Sequence, residues 1–480
     1  MPITHLTDFS DRLSPMLMKE LRQGLRAKTF IAVFLSLQIF LAVMMFSATA
    51  ASSSDSIGGV VSGIIFGFFA VAVLLVQPLR GISALSSEMK SNTLDMMALT
   101  RLSSSRIVIG KWVAIVSQTA LLLSTIVPYL ILRYFFGGMN LVGELVMVTL
   151  IFLTSVFLTA LTVGLSGCSS VIIRALLPIF GLPVMLFALG ALLEQTMHGG
   201  SPTEFFALAD GTSRIAVAAY VAGIGYLGYS MLSLGASLIA PAAENHSLWR
   251  RFFALVAMLA TIPLCYSGVI EEGWHIMVVF IIAVPAIIIA LTESAPLVST
   301  VCKPFIKRGF IGKTAGWLFY PILPSGSLYA ILLALLGLAA LFVHPHFLGS
   351  HSSNEEVATV LLAFAGSLFF PAVWQMFLFR GDGQRIANYL LILTGSYVML
   401  GILYMMAETT DNDNLLWFFA WNPLAFVVMA GEGDSPDIVY LGWVIIVDSA
   451  LLLLLMAHSL LIFRKSVGAV REAEESLQAN

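Results

Sequence analysis

Ser86-Ser-Glu-Met-Lys-Ser-Asn-Thr-Leu-Asp-Met-Met-Ala-Leu-Thr-Arg-Leu-Ser-Ser-Ser-Arg-Ile-Val-Ile-Gly-Lys111 is a polar interval set between two apolar runs, each long enough to cross a bilayer. It is the longest charged interval in the first half of the chain, and it carries helix punctuation. Asn92 stands where it can cap a short helix whose third residue, Asp95, completes a weaker form of the capping box. Ser103, Ser104 and Ser105 can end that helix and cap the next. Leu94, Met97, Ala98 and Leu102 give the segment more apolar surface than a solvated loop needs, so it is expected to lie in a partner's groove or on lipid headgroups.

The runs on either side set the class. Of 480 residues, 59% are hydrophobic and 11% charged, with a mean hydropathy of +0.95, which excludes an ordinary soluble domain. A helix crosses the hydrocarbon core with about 20 mostly apolar residues. The chain supplies about a dozen such runs, long and continuous rather than alternating as barrel strands would be. The expected fold is an all-α polytopic membrane bundle of about twelve spans. With the N-terminus inside, inner segments fall near 1–28, 80–111, 167–174, 241–251, 293–327, 380–385 and 464–480. Of the 24 Lys and Arg, all but Arg133 and Arg214 lie in them. The outer segments carry carboxylates instead, among them Asp55, Glu204, Glu271, Glu355 and Asp411. That asymmetry puts both termini in the cytoplasm of a cell whose inner membrane the chain spans many times. Cys168, Cys265 and Cys302 are isolated, so neither a disulfide framework nor a zinc site can be built from them.

Within the polar interval, Glu88, Thr93-Leu94, Leu99, Ile107 and Gly110-Lys111 resemble the first cytoplasmic loop of type 2 ABC transporter permeases. There a glutamate precedes a Thr-Leu pair, a leucine follows, and Gly-Lys opens the next span. Asn92 stands where the family usually has Gly, and Leu102 where it often has Pro. The resemblance covers roughly residues 14–250. It implies that Glu88, Thr93, Leu94, Leu99, Gly110 and Lys111 form a coupling loop receiving motion from a separate cytoplasmic ABC ATPase subunit. It also implies that the chain is the permease subunit of an ATP-driven transporter, an exporter.

Ser14-Pro15 opens an amphipathic helix with Leu17, Leu21 and Leu25 on one face and Lys19, Arg22 and Arg26 on another, suited to the inner headgroup surface. The run at 29–50 exceeds the 7–15 apolar residues typical of a signal peptide, so a span is expected there. Domain boundaries follow: an interfacial helix in 1–28, a six-span half at 29–250 with its loop at 86–111, a second six-span half at 251–463, and a cytoplasmic tail at 464–480. Each half sets its long inner loop after its second span and a dipping outer segment, 194–213 or 408–437, before its sixth. The transporter is expected as a homodimer or as a pseudo-dimer of these halves.

Few residues invite chemistry. Gly312-Lys313-Thr314 fails as a phosphate loop because Lys307 occupies the required upstream glycine position. With no nucleotide motif and no catalytic constellation, the chain is expected not to be an enzyme; no cofactor, metal or nucleic-acid partner is expected. Asp448, midway along the last span, is a lone intramembrane carboxylate. It is read either as a protonated side chain bonded to a neighbouring helix or as the coupling group of an ion-driven secondary transporter, which is the alternative function. Such carriers normally set several charged groups at mid-membrane, where this chain shows essentially one. His344, His346 and His351 share an outer loop whose metal affinity the residues leave open, a solvated loop being favoured. Membrane lipid is the other expected partner, and the sequence does not identify the transported substrate.

Overall fold

The computed structural model describes residues 15–50, 57–90, 103–135, 141–168, 170, 208, 211–241, 244–267, 274–293, 295–342, 354–378, 385–410, 414–432 and 437–478. All regular structure among them is helical, and 11 helices are long and apolar enough to cross a membrane. The chain is therefore an all-α, multi-pass membrane bundle. The span expected at 171–193 and most of the segment 194–213 lie outside the described residues. The helices cluster into two compact units, Met1–Ile239 and Ala240–Asn480.

In the first unit, α1 (Pro15–Leu25) precedes α2 (Lys28–Ala50). The second span is one composite helix: α3 (Ile57–Ala70), a π turn (Val71–Val76), α4 (Gln77–Leu79), a 3-10 turn (Arg80–Ser83) and α5 (Ala84–Lys90). Next come α6 (Ser104–Tyr134), α7 (Leu141–Leu165) and α8 (Gly211–Ile239). Leu41, Phe66, Phe69, Val73, Leu122, Ile126 and Met147 form the core between α2, the second span, α6 and α7. α7 and α8 meet backbone to backbone, since a Cβ on Gly235 would sit 2.9 Å from the Gly164 Cα. Close crossings at small residues are how helices gain packing energy in lipid, which supplies no hydrophobic drive between them.

The π turn has an identifiable cause. Gln77 donates its N–H to Ala72 O, five residues back. The next donor in that pattern would be Pro78, which has no N–H, so Val73 O loses its intrahelical partner. Ser155 on α7 supplies one: its Oγ, wholly buried, donates to Val73 O. A proline kink in the second span is thereby fastened to the fourth.

The polar connection is shorter than the sequence predicts. Instead of a loop from Ser86, the helix continues to Lys90, and α6 already begins at Ser104, so Gly110 and Lys111 are helical. The reason lies in satisfaction and packing. Ser86 and Ser87, read as loop residues, donate their hydroxyls to Ser83 O and Ala84 O within the helix. Leu85 is buried against Val108, Ile115, Val163 and Ala236. Residues 91–102, with Thr93, Leu94 and Leu99, lie outside the described residues.

The second unit contains α9 (Ser247–Tyr266), α10 (Trp274–Thr292), α11 (Ser299–Ile306), α12 (Gly309–Phe319), α13 (Leu323–Phe342), α14 (Asn354–Leu378), α15 (Arg385–Thr410), α16 (Asn414–Trp417), α17 (Ala425–Glu432) and α18 (Asp437–Gln478). The segment expected to dip before the last span folds as α16 and α17, around Asn422, whose Oδ1 accepts from Leu424 N at 3.1 Å. The tail expected at 464–480 is a continuation of α18 as far as Gln478. At about 1.5 Å per residue, that 42-residue helix is roughly twice as long as the hydrocarbon core is thick.

Ser155→Ala should destabilise the detergent-solubilised protein by about 1 kcal/mol. In a Pro78→Ala background, where Val73 O regains a backbone donor, most of that loss should vanish. Additive effects in the double-mutant cycle, read by thermal unfolding, would contradict it.

Candidate functional site

Residues singled out by the sequence meet at the root of the first polar connection. Lys111 Nζ lies 3.0 Å from Glu88 Oε1, at the end of α5, and 3.0 Å from Glu20 Oε1, on α1. Lys111 is 5% exposed, and the two carboxylates keep 14% and 19% of their side-chain surface. An ammonium so buried needs anionic partners to offset its lost hydration, and two carboxylates this close need a cation between them. The three groups therefore hold one another, and with them α1, α5 and α6.

Arg80 extends the junction from inside the composite span. Its Nη1 donates to Gln118 Oε1 on α6 and, at 3.2 Å, to Gln77 Oε1; Nη2 reaches Gly24 O on α1 at 3.5 Å. α1 lies close enough to α6 that a Cβ on Gly24 would collide with the Gln118 amide. Glu20, Arg80, Glu88, Lys111 and Gln118 line a cavity of about 260 Å³, together with the apolar Ala114 and Ile115. Its two cations balance its two carboxylates.

α1 is thus more than an interfacial helix. Leu17, Leu21 and Leu25 are half-buried, with Leu25 against the core of the unit, while Arg22 and Arg26 are exposed. Sequence reasoning missed Glu20 and Arg80. The signal for Glu20 was available, as the one carboxylate in an otherwise cationic helix at 15–28.

The second unit has a counterpart of different composition. Glu293, just past α10, pairs through Oε1 with Arg250 Nη2 and through Oε2 with Arg251 Nη2, both arginines opening α9. Arg251 Nη1 also donates to Leu318 O and to Ser325 Oγ, the latter at 2.7 Å, and Tyr329 OH donates to Arg251 O at 2.8 Å. This cluster ties α9 to the end of α10 and to the start of α13. The 293–327 connection is rooted in buried charge although it lacks the Glu, Thr-Leu and Gly-Lys pattern.

Asp448 is the carboxylate near the middle of a membrane-length helix among the described residues. It faces α14 at Gly366, where any Cβ would collide with it, beside an apolar cavity of about 200 Å³ lined by Leu338, Phe369, Ile445 and Leu452. The expected bond to a neighbouring helix is not made at Oδ1, which is buried without a hydrogen-bond partner among the described residues. His344, His346 and His351 lie outside the described residues, and among those described no cluster of three metal-ligating side chains occurs.

Removing the shared cation should cost more than removing either anion. Lys111→Met leaves two carboxylates facing each other and is expected to lower stability by on the order of 2 kcal/mol, below the range for fully buried pairs because both keep some solvent. Glu20→Gln should lower it by less than half as much, since Glu88 remains. Equal thermal shifts for the two variants would show that the groups do not act as one cluster. Comparison of the chain with protein-family models, with curated proteins and with solved structures gives no match.

Proposed function

We propose that this chain is the membrane-spanning permease subunit of an ATP-driven type 2 ABC transporter, an exporter, energised by a separate cytoplasmic ATPase. The observation that carries this reading is the meeting of Glu88 and Lys111 with Glu20. The first two belong to the interval that resembles a coupling loop, one near each end of it, and the third belongs to the amphipathic helix ahead of the first span. A loop that receives force must be stiff at its root, or the force is lost in local bending. Lys111 makes both ends of this connection and α1 one body, so that a push on Thr93, Leu94 or Leu99 is passed to the second and third spans together.

The sequence carries no nucleotide-binding motif, so this reading assigns ATP hydrolysis to the partner. Leu94 and Leu99 are the apolar anchors for its groove, and truncating such an anchor typically costs on the order of 2 kcal/mol in binding. Leu99→Ala is therefore expected to weaken ATPase association in a pull-down. Glu88→Ala should leave membrane insertion intact while separating ATP hydrolysis from transport. Unchanged association and unchanged transport in both variants would remove the coupling role.

A second reading, an ion-coupled carrier using Asp448, is favoured by its unpartnered Oδ1 beside an apolar cavity. Asp448→Asn separates the two: the ABC reading expects most transport to persist, and the carrier reading expects it to be lost at normal membrane levels.

Orientation follows the cation distribution, with both termini cytoplasmic. Cysteines placed at Ser201 and Asn412 should react with an impermeant thiol reagent applied outside. Protection of both, with labelling at Ser91, would invert the topology.

A further inference from the structure

Gly309 and Gly312, the latter from the stretch that fails as a phosphate loop, build a helical hairpin. α11 ends at Ile306, Lys307 and Arg308 turn, and Gly309 takes φ +72°, a conformation that disfavours side chains with a Cβ. A Cβ on Gly312 would sit 2.7 Å from Arg308 Cβ and collide with Phe305 O, so α12 can fold back closely on α11 only without one. The inner face of the hairpin is a packed cluster of Val301, Cys302, Phe305, Tyr320 and Ile322 with Ala473 of α18.

Its outer face is unlike the rest of the surface. Phe310 and Ile311 are 81% and 80% exposed, the highest values among the described large apolar residues. Most other exposed apolar side chains lie on membrane-length helices, where lipid covers them. α12 has 11 residues and cannot span. Beside the pair, Lys307 and Arg308 are exposed, and the stretch 294–354 contains no Asp or Glu. The level of the hairpin is marked by Trp317, whose ring lies 4.4 Å from that of Phe463, where α18 passes from apolar residues to Arg464-Lys465. Tryptophan and lysine or arginine concentrate at that boundary in membrane proteins.

We propose that the α11–α12 hairpin is an interfacial anchor for anionic phospholipid in the membrane that the chain spans, with Phe310 and Ile311 entering the leaflet and Lys307 and Arg308 pairing with headgroup phosphates. Glu474 of α18 reaches the hairpin but pairs with Lys313, so an apolar pair flanked by Lys307 and Arg308, which have no ion pair among the described residues, matches that surface in both chemistry and charge. A groove on a protein would have to supply acidic residues and a cavity together. The proposal is independent of the ATPase reading, because it concerns the 293–327 connection.

The test uses the full chain with Ile311→Cys carrying a nitroxide, in nanodiscs of phosphatidylcholine alone or with phosphatidylglycerol. The native cysteines are buried, and burial pushes the Cys302 thiol above its ordinary value, so the introduced site labels preferentially. Relaxation by oxygen and by an aqueous nickel complex should place the label at the headgroup–acyl boundary, deeper when phosphatidylglycerol is present. Lys307→Gln with Arg308→Gln should abolish the deepening that phosphatidylglycerol produces. A label that behaves as in water in both lipids overturns the proposal and leaves the face to a protein partner; a buried label indifferent to phosphatidylglycerol overturns the phosphate pairing.

Discussion

Lys111 is the group on which the first unit depends. A lysine mid-helix at the edge of a bilayer can escape desolvation by snorkelling, and this one does not. It is held among α1, α5 and α6 by two carboxylates at 3.0 Å. Because the buried ammonium needs a carboxylate and the two carboxylates need the cation between them, the cluster fixes where α1 lies, how far the second span extends and where the third begins. The Arg80 contacts to Gln118, Gln77 and Gly24 O carry the same constraint along the composite span. The Pro78 kink and its Ser155 fastening then join it to α7.

The second unit applies the same physics with other residues. Glu293 is shared by Arg250 and Arg251, and the Arg251 guanidinium is further satisfied by Leu318 O and Ser325. In both units, buried charge sits at the end of the second span and ties it to a preceding helix and to the start of the third. Such clusters are weak sources of stability, since the interactions scarcely exceed the desolvation they require. What they supply is definition, because few other arrangements of those helices satisfy every charge. A connection rooted this way can transmit movement in place of absorbing it.

How much of this was legible in the sequence depends on range. Span number, fold class and the polar connection follow from run lengths and from the placement of Lys and Arg, which are local properties. The amphipathic face of Leu17, Leu21 and Leu25 was equally local. Glu88 and Lys111 were singled out individually, but their meeting with Glu20 was not, because Glu20 and Lys111 are 91 positions apart and periodicity says nothing about such pairs. The continuation of the second span through Ser86 and Ser87 escaped because loop-favouring serines can bond their own helix once Leu85 is buried. Gly312 was weighed and rejected as part of a phosphate loop and Gly309 drew no notice, because the tight reversal they serve is set by the packing of α11 on α12.

One buried cation, Lys111, makes α1 and both ends of the polar connection a single body. Hydrogen exchange on the reconstituted full chain tests it most directly. In Lys111→Met, amides of 15–25 and of 84–90 should gain exchange together and by a similar factor, while Lys313→Met, which breaks the half-exposed pair with Glu474 at 2.6 Å, should leave both segments unchanged. Loss of protection confined to one segment, or none in either, would contradict the claim.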